Sequence, residues 1–283
     1  MDLAVNVAQV PQRSPFRYPG GKTWLIPVLR QWLQHLPPSG RRTFLEPFAG
    51  GATATLLAIM EHYSMQAAFC EVDREVASVW SCAVSEQGLE LAAQVETFQL
   101  NRKRVGQLFK KAQECPAPAN QALAVIVRNR IQRGGVMAPG AGRIKSGENE
   151  HGLASRWYPA TLAQRLRAIH AVRDQLQFTA GDGFRLLQHF QRRTGAAAFV
   201  DPPYYGEGKR LYAHGDIDHR QVFTALRDFS GDFLLTYDDA PQIRAWVAEF
   251  GLAAVAVNVK TTHHTVKREL LISRQLGWLV ASA

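Results

Sequence analysis

The run Gly195-Ala-Ala-Ala-Phe-Val200, followed at once by Asp201-Pro202-Pro203-Tyr204-Tyr205, decides how this chain folds. Small and apolar residues without polar alternation read as a strand buried on both faces, the habit of a parallel sheet. The two prolines then end the strand, because neither carries an N–H for the ladder. The chain therefore leaves the sheet at its carboxyl edge, stiff and extended, presenting one carboxylate, backbone carbonyls and two aromatic rings. In open α/β sheets that edge is where ligands bind. A rigid strand-to-loop turn with Asp201 as a helix cap would use the same residues, so the rest of the chain must decide.

Working outward, three more segments end the same way. Thr43–Phe48 reads as a strand carrying Glu46, and it runs into Ala49-Gly50-Gly51-Ala52 and a helix reaching about His62. Strand, small-residue turn and helix form the first half of a nucleotide-binding βαβ unit. Ala67–Val72 is the next strand, with Asp73 just beyond it, where an acidic residue commonly meets ribose hydroxyls. Leu176–Ala180 ends at Gly181-Asp182-Gly183. Asp73 and Asp182 could equally cap the helices that follow them. If the strands are parallel, Glu46, Asp73, Asp182 and Asp201 converge on one edge of the sheet. Upstream, Phe16-Arg-Tyr-Pro-Gly-Gly-Lys-Thr23 pairs two glycines, which admit close backbone approach, with Lys22 at a helix start. Its spacing is not that of a Walker P-loop. Asp232–Tyr237 and Pro241–Phe250 read as a strand and a helix, and Ala253–Val259 with Glu269–Ser273 as a closing strand pair.

The 283 residues carry a net charge of +9, and its location is informative. Residues 101–175 hold fourteen Lys and Arg against four Asp and Glu, whereas the remainder holds nineteen against twenty. A nearly neutral body thus carries a basic insert, which favours a polyanionic partner through phosphate contacts. Within the insert, residues 86–132 read as helix broken at Cys115-Pro-Ala-Pro118. A Gly-rich basic loop follows at 134–143, with Arg128, Asn129, Arg130 and Arg133 before it and Arg143 and Lys145 at its end. Arg and Asn in such a loop suit base edges. Three cysteines without metal-ligand spacing, Cys70 among them in an apolar run, argue against a disulfide framework. His263 and His264 are adjacent, and on an extended chain they point to opposite faces, so no metal is expected. The sequence shows neither the basic-then-apolar design of a signal peptide nor a membrane-length apolar stretch. A reducing cytoplasm is the compartment expected.

Tyr18-Pro-Gly-Gly-Lys22, Glu46-Pro-Phe-Ala-Gly50, Asp73 and Asp201-Pro-Pro-Tyr204, in this order, resemble the motifs of the Dam-like DNA adenine-N6 methyltransferases in their alpha arrangement. Thr236-Tyr-Asp-Asp239 and Glu269-Leu-Leu-Ile-Ser273 resemble later motifs of the same family. The likeness implies an α/β fold: a Rossmann-like mixed sheet that binds S-adenosylmethionine (SAM), formed by residues 1–84 and 176–283. Residues 85–175 would be a helical target-recognition insert. It further implies that Tyr18, Lys22, Asp73 and Asp201 contact SAM, with Glu46, Phe48 and the Gly50 turn on its methionine side and Asp182 by its adenine. Asp201, Pro202 and Tyr204 would be catalytic. Arg128, Asn129, Arg130, Arg133, Arg143 and Lys145 would meet double-stranded DNA, in a bacterial or phage setting that allows a cognate restriction endonuclease as partner. Ala52 replaces a common glycine, and Arg74-Glu75 follows Asp73 where Asn often lies. Cytosine N4, an RNA substrate, or a DNA-binding regulator on an inactive scaffold are the alternatives.

Overall fold

The computed structural model describes residues 10–17, 21–37, 42–115, 117–137, 140–145, 152–205, 217–260 and 266–279. Its frame is a mixed sheet of seven strands: β1 Thr43–Glu46, β2 Gln66–Glu71, β3 Leu176–Ala180, β4 Ala196–Val200, β5 Asp232–Asp238, β6 Ala253–Lys260 and β7 Val266–Ser273. The order is β3-β2-β1-β4-β5-β7-β6. β1 to β5 pair in parallel, and β7 runs antiparallel to both β5 and β6. This is the Rossmann-like mixed sheet expected from the sequence, with its strand order reversing between β1 and β4. At such a reversal the loops leaving neighbouring strands diverge to opposite faces and open a crevice at the carboxyl edge.

Side-chain alternation assigns each strand residue to one of two cores. On one face lie Phe44, Ala197, Phe199, Leu234 and Leu271, packed with the helices α1 Ile26–His35, α2 Thr53–Met60 and α3 Arg74–Ala83. On the other lie Leu45, Ala198, Val200, Phe233, Leu235 and Ile272, against the three helices that follow β3, β4 and β5. Between α3 and β3 the chain inserts α4 Gly88–Thr97, α5 Arg102–Glu114, α6 Pro118–Ile131 and α7 Pro159–Ala171. After β3 come α8 Gly183–Phe190, α9 His219–Arg227 and α10 Pro241–Glu249. Leu91, Val95, Ile126 and Leu166 of the insert belong to the same core as Phe44 and Phe199, so the insert is welded to the sheet.

The insert has one more break than the sequence suggests. Helix stops at Phe98 and resumes after Asn101, whose side chain accepts from the Arg104 amide at 2.9 Å. No glycine or proline marks that stop, and the cap alone restarts the helix. The turn after β1 is left-handed at Gly50 (φ 48°) and again at Ala52 (φ 48°). The departure noted at Ala52 thus places a Cβ where glycine is the relaxed choice.

Candidate active site

β4 delivers Asp201 to the carboxyl edge as expected. Its carboxylate is gripped from two other elements: Lys22 Nζ lies 2.9 Å from Oδ1, and the Thr236 hydroxyl of β5 donates to the same oxygen at 2.6 Å. Both contacts fall on Oδ1, and Oδ2 takes part in neither. Lys22 is 4% exposed and also donates to the Tyr204 hydroxyl at 2.8 Å. Its ammonium is 3.6 Å from Glu269 Oε2 of β7, itself buried. Burial pushes the Glu269 carboxyl up, against the pull of Lys22 and Tyr204. The Tyr205 amide donates to Asp238 Oδ1 at 3.0 Å, which ties the loop after β4 to the end of β5. A cavity of about 840 Å³ opens beside this cluster, lined by Tyr204, Asp238, Asp239, Lys267, Arg268 and Glu269 among others.

On the other side of the reversal point, Glu46 ends β1 and is 3% exposed. Its Oε2 accepts from the Thr55 amide of α2 at 2.7 Å, yet burial pushes its pKa up to about 8, and the charge on Asp201 adds to the rise. Glu71 ends β2 and was not singled out in the sequence. Its two oxygens accept from the Gly50 amide (2.8 Å) and the Asp73 amide (2.8 Å), and burial lifts its pKa to about 7. The Trp80 indole donates to the Gly50 carbonyl at 2.8 Å, so the turn after β1 is fastened from both sides. Asp73 accepts from the Glu75 amide at 2.9 Å and Asp182 from the Phe184 amide at 2.9 Å. Each is a helix cap, and each cap engages Oδ1 alone. A Cβ on Gly183 would sit 2.1 Å from the Pro47 carbonyl oxygen, which explains why glycine lets α8 start hard against the end of β1. Phe48 meets Phe184 edge to face, with centroids 5.7 Å apart.

The structure thus brings Lys22, Glu46, Phe48, Gly50, Asp73, Asp182, Asp201, Pro202 and Tyr204 to one sheet edge, and adds Glu71, Thr236 and Glu269. The strand-end position of Glu71 was a usable signal, masked by Asp73 two residues on. Thr236 and Glu269 lie in stretches whose motif character was seen but whose role was not. Tyr18 lies outside the described residues, as do His263 and His264. Among the described residues no group of three or more His, Cys, Asp or Glu is arranged to hold a metal, and no helix is long and apolar enough to cross a membrane.

The expected nucleic-acid contacts divide. Arg133, Arg143 and Lys145 are exposed, the first two on a hairpin closed by an antiparallel bridge between Gln132 and Arg143 and the third just beyond it. Asn129 and Arg130 are corrected: they are 0% and 5% exposed and bind protein backbone. Both point inward because residues 15–17 pack over the end of α6, and their side chains satisfy that segment's polar groups. Arg128 is half-buried and paired with Glu75.

No family model matches the sequence. No curated protein matches it either. Among solved structures the chain is similar to the rRNA methyltransferase aviRa from Streptomyces viridochromogenes, at 15% identity over 96% of this chain and 92% of that one, with a TM-score of 0.40. A SAM-dependent methyltransferase from Agrobacterium tumefaciens matches at 9% identity over 90% and 62%, with a TM-score of 0.40. A tRNA methyltransferase of B. subtilis matches at 12% identity over 87% and 64%, with a TM-score of 0.37. Likeness this distant carries no argument about activity.

Proposed function

We propose that this protein transfers a methyl group from SAM to the N6 amino group of an adenine flipped out of double-stranded DNA, as a member of the Dam-like methyltransferases. The observation that carries the reading is the asymmetry of the Asp201 carboxylate. Oδ1 is held by Lys22 and Thr236, which fixes the group in place and leaves Oδ2 to accept from an incoming amino group. An exocyclic amino nitrogen is a weak nucleophile because its lone pair is delocalised into the ring. Asp201 Oδ2 and the Pro202 carbonyl would accept hydrogen bonds from its two N–H groups and draw the nitrogen toward tetrahedral geometry, which localises the pair. The nitrogen would then take the methyl as the donor's S–CH3 bond breaks to leave a neutral thioether, and would shed one proton to solvent by way of Asp201. Tyr204 would stack on the extruded ring and offset part of the few kcal/mol that flipping costs. A cavity adjoins Tyr204.

The residues across the reversal point suit a cationic nucleoside donor. Glu46 and Glu71 are buried carboxyls whose pKa values are raised to about 8 and about 7. Such groups favour a cation, which would stabilise their ionised forms. Glu46, Phe48, the Gly50 turn, Glu71, Asp73 and Asp182 would hold SAM, which supplies an electrophilic methyl group when bound. The exposed Arg133, Arg143 and Lys145 would meet phosphates. The test is Asp201→Ala, made in cells whose DNA is then sequenced for methylated bases. Wild-type expression should mark adenine N6 at one short sequence and the variant should not, while purified variant still binds duplex. Marks at cytosine N4 would reassign the base, and near-normal methylation by the variant would refute the role of Asp201.

A further inference from the structure

The loop that leaves β4 is fastened twice, and the two fastenings bracket Pro202. At its start, Asp201 Oδ1 is held by Lys22 and by the Thr236 hydroxyl of β5. Further on, the Tyr205 amide donates to Asp238 Oδ1 at 3.0 Å. Thr236 and Asp238 stand two apart on β5, so their side chains leave the same face of the strand. One strand end therefore grips the loop at two points. Between them, Pro202 and Pro203 have fixed φ and carry no N–H, so neither can be fastened by a donated backbone hydrogen bond. Pro202 is buried, and among the described residues its carbonyl accepts no hydrogen bond. Its direction is set by the backbone on either side. The Tyr205 ring adds a second hold at the far point. Although 45% exposed, it meets the His219 ring of α9 edge-on, with centroids 5.2 Å apart, and the Trp246 ring of α10 at 5.8 Å. Both neighbours are rooted in the core: His219 Nδ1 lies 2.9 Å from the hydroxyl of buried Tyr237, and Trp246 packs on Phe223. Tyr204 is held separately, by its hydroxyl on Lys22 and by the Lys22 ammonium 4.8 Å from its ring centroid.

We infer that Asp238 and Tyr205 are positioning residues that aim the Pro202 carbonyl. The inference rests on the function proposed above, in which that carbonyl accepts from one N–H of the target amino group. A carbonyl bracketed by two fixed points, in a stretch stiffened by two prolines, keeps one direction. Freed at Tyr205, it swings about Asp201. The accepting geometry is then lost, while Tyr204 keeps its own hold on Lys22 and the residues across the reversal point are untouched. Donor binding and base flipping therefore persist, and the chemical step slows. A misplacement of about 1 Å costs on the order of 100-fold. Asp238 serves here as an acceptor for an amide and not as a charge, so the carboxamide oxygen of Asn can replace it.

The experiment uses the full chain and a duplex carrying the sequence found methylated in cells. Single turnovers at saturating SAM read the transfer rate, 2-aminopurine at the target position reads flipping, and titration with S-adenosylhomocysteine reads donor affinity. Asp238→Ala and Tyr205→Ala should each slow transfer by about 10- to 100-fold, with flipping and donor affinity nearly unchanged. Asp238→Asn keeps the acceptor and Tyr205→Phe keeps the ring, so both should retain most of the rate. Tyr205 is exposed, so its Ala variant should fold even if Asp238→Ala does not. Equal losses in Asp238→Asn and Asp238→Ala would overturn the inference, because charge would then matter and not acceptance. A fall in flipping that matches the fall in rate would overturn it too, by placing these residues against the base. Wild-type rates in the folded Ala variants, with only the melting temperature lowered, would leave a purely structural role and sink this inference alone. A wild type that leaves cellular DNA unmethylated would overturn the functional reading, and this inference with it.

Discussion

Lys22 and Asp201, 179 positions apart in sequence, meet at 2.9 Å in the wall of the candidate site. Lys22 also neighbours Glu269 at 3.6 Å, so one buried ammonium stands between two carboxylates. Lys22→Met should therefore leave two like charges facing each other without a cation. Breaking one side of a buried pair costs about 3–5 kcal/mol, and the 21% exposure of the Asp201 side chain places this case toward the lower end. Adding Glu269→Gln to Lys22→Met should restore much of the stability, because it removes one of the stranded charges, but not methyl transfer. Urea denaturation of the two single variants and the double variant measures the coupling. Additive losses would show that Glu269 and Lys22 do not act on one another.

Glu46 offers a test by pH. Its carboxyl is raised from the ordinary 4.5 to about 8 in the folded chain, so the folded state binds a proton that the unfolded state has lost. Stability from this group is complete below the unfolded value and falls as pH rises toward about 8. Glu71, raised to about 7, acts in the same direction over a narrower range. Glu46→Gln should flatten the decline between pH 5 and pH 8, as read by denaturant midpoints. An unchanged slope would mean that Glu46 is ionised in the fold.

The same protonation predicts how the donor binds. A cation beside Glu46 lowers its pKa, so SAM binding near neutral pH should release protons to the buffer. Calorimetry in two buffers of different ionisation enthalpy reads the number directly. Release should drop in Glu46→Gln. Proton uptake on binding would contradict the placement of the donor at this edge.

How far these residues could be read beforehand follows from the range of the forces involved. β4 and its exit were legible because two prolines end a strand for local reasons. Asp73 was read as the acidic strand end, but β2 stops at Glu71, and the position after Val72 belongs to the cap of α3. Two acids separated by one residue leave that ambiguity, and only the ladder resolves it. Asn129 and Arg130 resemble surface residues because their burial comes from the distant segment 15–17, which no local pattern near α6 announces. The restart at Asn101 was invisible for the opposite reason: a single capping side chain, with no breaker, divides two helices of similar pattern.

Tyr204 has two separable parts. Its hydroxyl accepts from Lys22, and its ring stands at the cavity. Tyr204→Phe keeps the ring and should reduce methyl transfer modestly. Tyr204→Ala should remove a stacking contribution of about 1–3 kcal/mol per base, lowering the flipped population by the same factor as transfer. Fluorescence of 2-aminopurine at the target position reports the flipped state. If Tyr204→Ala flips the base as well as wild type does, the ring has another purpose.

The basic residues around the hairpin should separate by burial. Arg133, Arg143 and Lys145 are exposed, so replacing them with Ala should cost little stability and weaken duplex binding. Each lost phosphate contact makes the slope of log affinity against log salt shallower by roughly 0.9. Arg130 is 5% exposed, and burial together with the neighbouring Arg165 and Arg17 lowers its pKa to about 9. Its guanidinium binds the Pro15 carbonyl and not solvent. Arg130→Ala should therefore lower the melting temperature and leave the salt slope of the folded protein as it was. Anisotropy titrations of a labelled duplex at several salt concentrations distinguish the two classes. A shallower slope for Arg130→Ala, or an unchanged slope for the triple variant, would place the phosphate contacts elsewhere on the insert, with α5 and its first-turn cations Arg102, Lys103 and Arg104 the next surface to test.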